Sequence, residues 1–253
     1  MQEIFSINNE LIKSYSKLKQ KKFRIQEGLF LIEGAKCVED AHAHKIAIEK
    51  VFVLKNKIEK FNFPNTICVD EKVMKKLADT ESAPEILAIG KIPEYKFDTE
   101  KFNKITILEN IKDGGNLGTI TRSACAFSID AIILTGDCID IYNPKVVRSS
   151  VGNIFKIPIF KMDIPKIKEK LKNFKIYSTV VKNGKDLNDI NFADKSAILF
   201  GSEADGLTKE LKDAAQEHIT LKMKGNVESL NLAVCASIVF YEMGKNNTNF
   251  ISK

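Results

Sequence analysis

From residue 105 onward, apolar runs of strand length alternate with stretches of helical periodicity, and this alternation constrains the chain more than any other feature. The runs fall at 105–109, 131–134, 157–160, 175–181, 196–200 and 218–222. Strands joined through helices pair in parallel and are covered on both faces, so this half is expected to be α/β with a mostly parallel sheet. Helix starts are marked as well. Asn143 followed by Pro144 pairs an N-cap with a first-turn proline, and Asp163 with Pro165 opens the next helix. In such sheets ligands sit beyond the carboxyl ends of strands, which directs attention to the loops after Glu109, Phe200 and Lys222.

The first half repeats the α/β pattern on a smaller scale. A strand-like run at 28–33 leads into a helical stretch at 35–44, and further strands are expected at 51–54, 66–69 and 86–89, with a helix capped by Asp70 before the last. Residues 91–103 then turn polar around Pro93 and lose periodicity, as a linker would. This sets a first domain over 1–95, that linker, and a second domain over 104–253.

Several function classes drop out early. The longest apolar run, 230–241, is shorter than the ~20 residues that span a bilayer, and the first ten residues lack the basic and apolar segments of a secretory signal, so a cytoplasmic protein with no membrane role is expected. Five cysteines (Cys37, Cys68, Cys125, Cys138, Cys235) without a CxxC pair suit neither a disulfide framework nor a zinc site. His42 and His44 lie two apart on a helix and cannot face each other, so no metal is expected.

The net charge of +6 leaves room for a polyanionic partner. Between Glu10 and Glu27 there is no acidic residue, while Lys13, Lys17, Lys19, Lys21, Lys22 and Arg24 all fall there. On one continuous helix Lys13, Lys17, Lys21 and Arg24 would share a face opposite Leu11, Tyr15, Leu18 and Ile25. That face could follow RNA phosphates or be ordinary solvated surface.

Each of the three loops carries polar residues with two readings. Asn110-Ile-Lys-Asp-Gly-Gly-Asn-Leu-Gly118 enters a helix expected over 116–127, whose apolar stripe (Leu117, Ile120, Ala124, Phe127) points away from Arg122. It is a turn with a solvated arginine, a weak dinucleotide fingerprint, or a site. Phe200-Gly-Ser-Glu-Ala-Asp-Gly-Leu207 is an acidic turn before a helix near Thr208, or a place where Gly201 lets a ligand approach and Glu203 binds it. Met223-Lys-Gly-Asn-Val-Glu-Ser-Leu-Asn231 runs into a helix apolar nearly all round, which should be buried. Ser229 is placed to cap that helix, and Asn231 in its first turn needs a polar partner or a ligand.

Taken together and in this order, Asn116-Leu-Gly-Thr-Ile-Thr-Arg-Ser-Ala124, Phe200-Gly-Ser-Glu-x-x-Gly-Leu207 and Met223-x-Gly-x-x-x-Ser-Leu-Asn231 resemble the three signature motifs of the SpoU (TrmH) family of RNA methyltransferases, in the SPOUT superfamily. The segment from Lys21 to Gly34 is similar to the small, L30e-like substrate-binding domain that often precedes that catalytic domain. The resemblance implies a SPOUT α/β domain ending in a trefoil knot, a homodimer in which two subunits complete each site, S-adenosylmethionine as cofactor, and methylation of a ribose 2′-hydroxyl in RNA. The expected substrate is 23S ribosomal RNA, with transfer RNA, or RNA binding without catalysis, as alternatives. Asn116, Arg122, Glu203, Ser229 and Asn231 are the implied catalytic group, and Gly201, Leu221, Met223, Gly225 and Leu230 the implied cofactor contacts. Asn116 and Glu203 would hold Arg122, whose permanently charged guanidinium suits it to fixing the 2′-oxygen and its phosphate better than to taking a proton. The sequence departs from the family at Gly114, usually proline, and at Ala204 and Ser128, usually glycine.

Overall fold

The structure is a computed structural model and describes residues 2–225, 227 and 229–245. The chain forms two compact units. One comprises the residues up to Glu94 together with Asp140–Lys156, the other Tyr95–Ile139 and the residues from Ile157 onward.

In the first unit, β1 (Gln2–Ile4) is followed by α1 (Glu10–Ser16), α2 (Lys21–Glu27), β2 (Leu29–Glu33), α3 (Ala35–Ala43), β3 (Ile48–Leu54), β4 (Thr66–Val69), α4 (Glu71–Leu77) and β5 (Ile86–Lys91). The sheet runs β1-β4-β3-β5-β2, parallel from β1 to β3 and antiparallel where β5 joins β3 and β2. Leu31, Phe52, Ile67 and Leu87 bury one face against α1 and α4. Asp70 caps α4 by accepting from the Val73 amide at 2.9 Å, as its position before the helical stretch predicts. β1 was not foreseen: three residues, two of them exposed, carry no alternation.

The basic segment is not one helix. α1 ends at Ser16, a 3₁₀ turn covers Lys17–Lys19, and Gln20 is extended at ψ 133 before α2 begins. The break redirects everything after it. Ile25, expected on the apolar side, is 67% exposed, while Arg24 is 1% exposed. The Arg24 guanidinium donates to the Leu18 and Lys19 carbonyls at 2.7 and 2.8 Å and meets Asp140 Oδ2 at 2.6 Å. It therefore supplies donors to carbonyls near the break, with Asp140 balancing its charge, and is removed from any phosphate-tracking face. Lys13, Lys17 and Lys21 remain exposed.

After β5 come β6 (Lys104–Glu109), α5 (Gly114–Ala126), β7 (Ala131–Thr135), α6 (Pro144–Ser149), β8 (Ile159–Lys161), α7 (Ile164–Lys170), β9 (Lys175–Thr179), β10 (Lys185–Asp186), β11 (Ser196–Phe200), α8 (Lys209–Ala214), β12 (Glu217–Thr220) and α9 (Leu232–Lys245). Asn143 and Asp163 cap α6 and α7 as expected, accepting from the Lys145 and Lys166 amides. α6 lies in Asp140–Lys156 and so belongs to the first unit, where it packs on β2 and its Arg148 pairs with Asp79 at 3.1 Å and buried Glu33 at 3.4 Å. In sequence this segment sits inside the stretch read as the second domain.

The second sheet is entirely parallel, in the order β10-β12-β9-β11-β6-β7-β8. Central β11 pairs with β6 on one side, Phe200 beside Leu108, and with β9 on the other, so the loops after Glu109 and Phe200 start next to each other. Just beyond α5, Ser128 stands at φ 59, a left-handed conformation that costs an L side chain roughly 1–2 kcal/mol and explains why glycine suits this position. α5 packs along α9. α9 is not buried all round: Val234, Ile238 and Tyr241, on one stripe, are 48%, 39% and 49% exposed. Among the described residues no helix is long and apolar enough to cross a membrane.

Candidate active site

The first loop contributes through the start of α5, which begins at Gly114, two residues earlier than periodicity suggests. Asp113 is its N-cap, accepting from the Asn116 amide at 2.8 Å. This overturns the dinucleotide reading of the loop on physical grounds. Gly114, Gly115 and Gly118 lie inside the helix, and a carboxylate already accepts from the Asn116 amide at the N-terminus a pyrophosphate would need.

The second loop is held at both ends. Gly201 is required by the chain itself: a Cβ on it would lie 2.0 Å from the Gly206 carbonyl carbon and 2.2 Å from the Leu207 amide nitrogen. The far end is fixed by buried Glu109 at the tip of β6, whose two carboxylate oxygens accept from the Thr208 amide at 2.7 Å and hydroxyl at 2.8 Å. Sequence reasoning took Glu109 only as a strand end. Its cue was a carboxylate closing an otherwise apolar run, which burial makes costly without partners.

The third loop ends on Asn231, and here the expected roles exchange. Asn231, not Ser229, caps α9: its Oδ1 accepts from the Ala233 and Val234 amides at 3.0 and 3.3 Å. That leaves the Asn231 amide nitrogen free to reach across, donating to Asn116 Oδ1 at 3.0 Å and Glu203 Oε1 at 3.3 Å. Asn116 Nδ2 donates to the same Glu203 oxygen at 2.6 Å. One residue from each loop, separated by up to 115 positions, thus closes a single hydrogen-bonded cluster. Asn226 and Glu228 of this loop lie outside the described residues.

Beside the cluster is a cavity of about 320 Å³ bounded by Gly201, Glu203, Leu221, Met223, Ser229, Leu230 and Asn231, with Gly225 outside its lining. Thr179, Val180 and Val181, following β9, form a further wall that the sequence reading missed, although the rule about carboxyl ends of strands applied to β9 equally. Burial pushes the Cys235 thiol at this wall up to about 11, so it stays neutral. Among the described residues no lysine or arginine lines the cavity, and Glu203 is its one carboxylate. Apolar walls with a single negative group suit a ligand that joins a flat heterocycle to a cationic centre, and disfavour a phosphate. S-adenosylmethionine, an adenosine bearing a sulfonium, is of that kind.

Arg122 is not part of the cluster. Six residues beyond Asn116 on α5 it faces a different direction, it is exposed, and among the described residues it has no hydrogen bond or ion pair. The Glu203 carboxylate is held by two amides in place of the expected guanidinium. Lys13, Lys17 and Lys21 are on the first unit, which shares no residue with this site. Among the described residues no group of three or more His, Cys, Asp or Glu is arranged to hold a metal.

The SpoU rRNA Methylase family matches residues 103–241, which hold all three loops, and a MRM3-like substrate binding domain matches residues 9–88. This chain belongs to the SpoU rRNA methylase family. A 23S rRNA (guanosine(2553)-2′-O)-methyltransferase, RlmP, of Bacillus subtilis is 31% identical, covering 96% of this chain and 99% of its own. Among solved structures, an AdoMet-bound rRNA methyltransferase from Sinorhizobium meliloti matches with a TM-score of 0.87 at 25% identity over 96% of this chain and 97% of its own. An RNA 2′-O ribose methyltransferase matches at 0.82 and 28%, over 95% and 97%. The SpoU fold is therefore shared along nearly the whole length, first unit included.

Proposed function

We propose that this SpoU methylase transfers the methyl group of S-adenosylmethionine to a ribose 2′-hydroxyl of 23S ribosomal RNA in the cytoplasm. The observation that carries this reading is the Asn116–Glu203–Asn231 cluster set against a cavity whose described lining carries no cation. Gly201, Leu221, Met223 and Leu230 would hold the cofactor largely through backbone and apolar contact, with Ser229 shaping the rim; Gly225, outside the lining, would join them only through the motif it belongs to. When bound, the cofactor supplies an electrophilic methyl. The chain's own work is to keep the acceptor oxygen in line with it and to exclude competing water. Mapping ribose methylation in ribosomal RNA from cells with and without the gene tests the reading. One 23S position that loses its methyl group supports it; a lost position in transfer RNA alone, or none in any RNA, rejects it.

Two further parts belong to the proposal. The protein works as a homodimer in which Arg122 of one subunit completes the site of the other. Arg122 is unpaired and exposed, and it neighbours Ser123, whose hydroxyl bonds Ser237 of α9 at 2.6 Å, so it is carried by the helix pair that presents the apolar stripe of Val234, Ile238 and Tyr241. Sedimentation at micromolar concentration should give twice the chain mass, and Ile238→Glu should give the single mass; a monomeric wild type contradicts the dimer.

The second part concerns Lys13, Lys17 and Lys21, which would follow RNA phosphates without Arg24. Each phosphate contact adds roughly 0.7 to the slope of log affinity against log salt for a single strand. Changing Lys17 and Lys21 to Gln should weaken RNA binding across sequences and flatten that slope by about 1 to 1.5. An unaltered slope would return these lysines to ordinary surface.

A further inference from the structure

Asn110 opens the first loop without joining the cluster, and its backbone is unusual. It stands at φ 57, in the left-handed region that asparagine and aspartate tolerate best among residues with a side chain. The neighbouring strand holds it there. β6 and β7 run parallel with Glu109 beside Thr135, and the chain leaving β7 lies along the loop leaving β6. The Asn110 amide donates to the Thr135 carbonyl at 3.2 Å, and Asn110 Oδ1 accepts from the Asp137 amide at 2.8 Å. The Ile111 amide donates to Cys138 Sγ at 3.3 Å, the Ile111 carbonyl accepts from the Ile139 amide at 2.7 Å, and Lys112 pairs with Asp137. Residues 136–139 are thus a strap that grips 110–112, and both segments belong to the second unit.

The fit between strap and loop is close. Gly136 is left-handed too, at φ 66, and a Cβ on it would lie 2.2 Å from Asn110 Oδ1. From the gripped residues the chain runs straight to the cluster. Asp113 caps α5 through the Asn116 amide, and the Asn116 side chain, in the first turn, meets Glu203 at 2.6 Å and Asn231 at 3.0 Å. The stretch between grip and cluster has little else to hold it. Packing along α9 fixes the body of α5, but Gly114, Gly115 and Asn116 bring no apolar side chain to pack before Leu117. Two glycines also leave the backbone its widest freedom, at a place that is usually proline in the family. A proline ring would fix the helix start by itself. In this chain that restraint has to come through the strap.

We propose that Asn110 is a positioning residue for methyl transfer: its side chain, locked to the strap, sets where Asn116 meets Glu203. This assignment rests on the methyltransferase reading above. It also separates two effects. No residue from Asn110 to Asn116 lines the cofactor cavity, so loss of the Asn110 contact should slow transfer from bound cofactor without releasing it. A displacement of about 1 Å in a group that orients reactants can cost roughly 100-fold in rate.

The test is single-turnover transfer to ribosomal RNA by full-length variants saturated with S-adenosylmethionine, well below their melting transitions. Asn110→Gly keeps the freedom for positive φ and removes only the acceptor. It should slow transfer by roughly 10- to 100-fold while cofactor affinity stays within about twofold. Asn110→Asp keeps the acceptor and tolerates the same backbone, so it should return the rate to within about threefold of wild type. Gly114→Pro gives the readout that a general loss of stability would not move. Asp113 already has the extended φ −85 and ψ 121 that a residue before proline adopts, and position 114 is the first of the helix, so the backbone accepts the ring. With Gly114→Pro in place the helix start is held independently, and Asn110→Gly should then cost less than about threefold. An Asn110→Gly rate within threefold of wild type, an Asn110→Asp rate as low as that of Asn110→Gly, or a penalty undiminished by Gly114→Pro overturns the assignment. A wild-type protein that neither binds S-adenosylmethionine nor methylates RNA defeats the methyltransferase reading instead, so the two failures are distinguishable.

Discussion

Arg122→Ala should reduce methyl transfer by roughly 100- to 1,000-fold, the usual cost of removing one fixed donor from developing charge, while leaving S-adenosylmethionine affinity within about twofold. The two halves of that expectation come from geometry. Arg122 lines neither cavity, so cofactor binding has nothing to lose. Its exposed position on α5, apart from the cluster of its own subunit, leaves its guanidinium available to a partner's site. Mixing provides a sharper form of the test. If Arg122 serves the partner, a dimer pairing an Arg122→Ala subunit with a Glu203→Gln subunit has one site with both defects and one with neither. Equal mixtures of the two inactive proteins, allowed to exchange, should then regain about a quarter of wild-type activity, from random pairing in a two-fold dimer. No recovery after demonstrated exchange would place Arg122 and Glu203 in the same subunit's site, and near-normal turnover by Arg122→Ala alone would remove it from the mechanism.

The second large effect is on stability. Arg24→Ala should destabilise the first unit by about 3–5 kcal/mol, the usual penalty for breaking a buried pair and stranding its partner. At ~2–4 °C per kcal/mol for a chain of this size, its melting transition should fall by roughly 10 °C. Four contacts between 2.6 and 2.8 Å end together: two to backbone carbonyls beside the helix break and two to Asp140. Asp140→Asn should cost less, because the asparagine oxygen still accepts. A thermal scan of Arg24→Ala that matched wild type within 2 °C would contradict this account of the segment, and would reopen the surface role that the sequence suggested for Arg24.

That contrast shows what could be read from residues alone. Strand positions at 66–69 and 196–200 were legible to the residue because apolar runs ended on clear boundaries, and Asp70, Asn143 and Asp163 cap the helices their positions imply. The basic helix failed because periodicity assumes a continuous helix, and a single extended residue, Gln20, resets the face of everything beyond it. Nothing in Lys19-Gln20-Lys21 announces that break; the cause is tertiary, since Arg24 is pulled inward by Asp140 from 116 residues away. The same limit applied to α9, whose uniformly apolar sequence cannot say that Val234, Ile238 and Tyr241 are left outside. In the site, residue types were legible and their partners were not. Asn116, Glu203 and Asn231 were singled out, yet the capping of α9 by Asn231, the anchoring of the second loop by Glu109 and the isolation of Arg122 depend on which strand ends the sheet brings side by side.

The most direct test is what the purified protein does to ribosomal RNA. Incubated with S-adenosylmethionine carrying a labelled methyl group, it should transfer label to naked 23S RNA or to ribosomal particles, and complete digestion should release that label in one 2′-O-methylated nucleoside. The phosphodiester that follows the labelled ribose should resist alkali, because its 2′-oxygen is blocked. Label recovered on a base, with alkali cleaving at that position as elsewhere, would contradict the proposed chemistry.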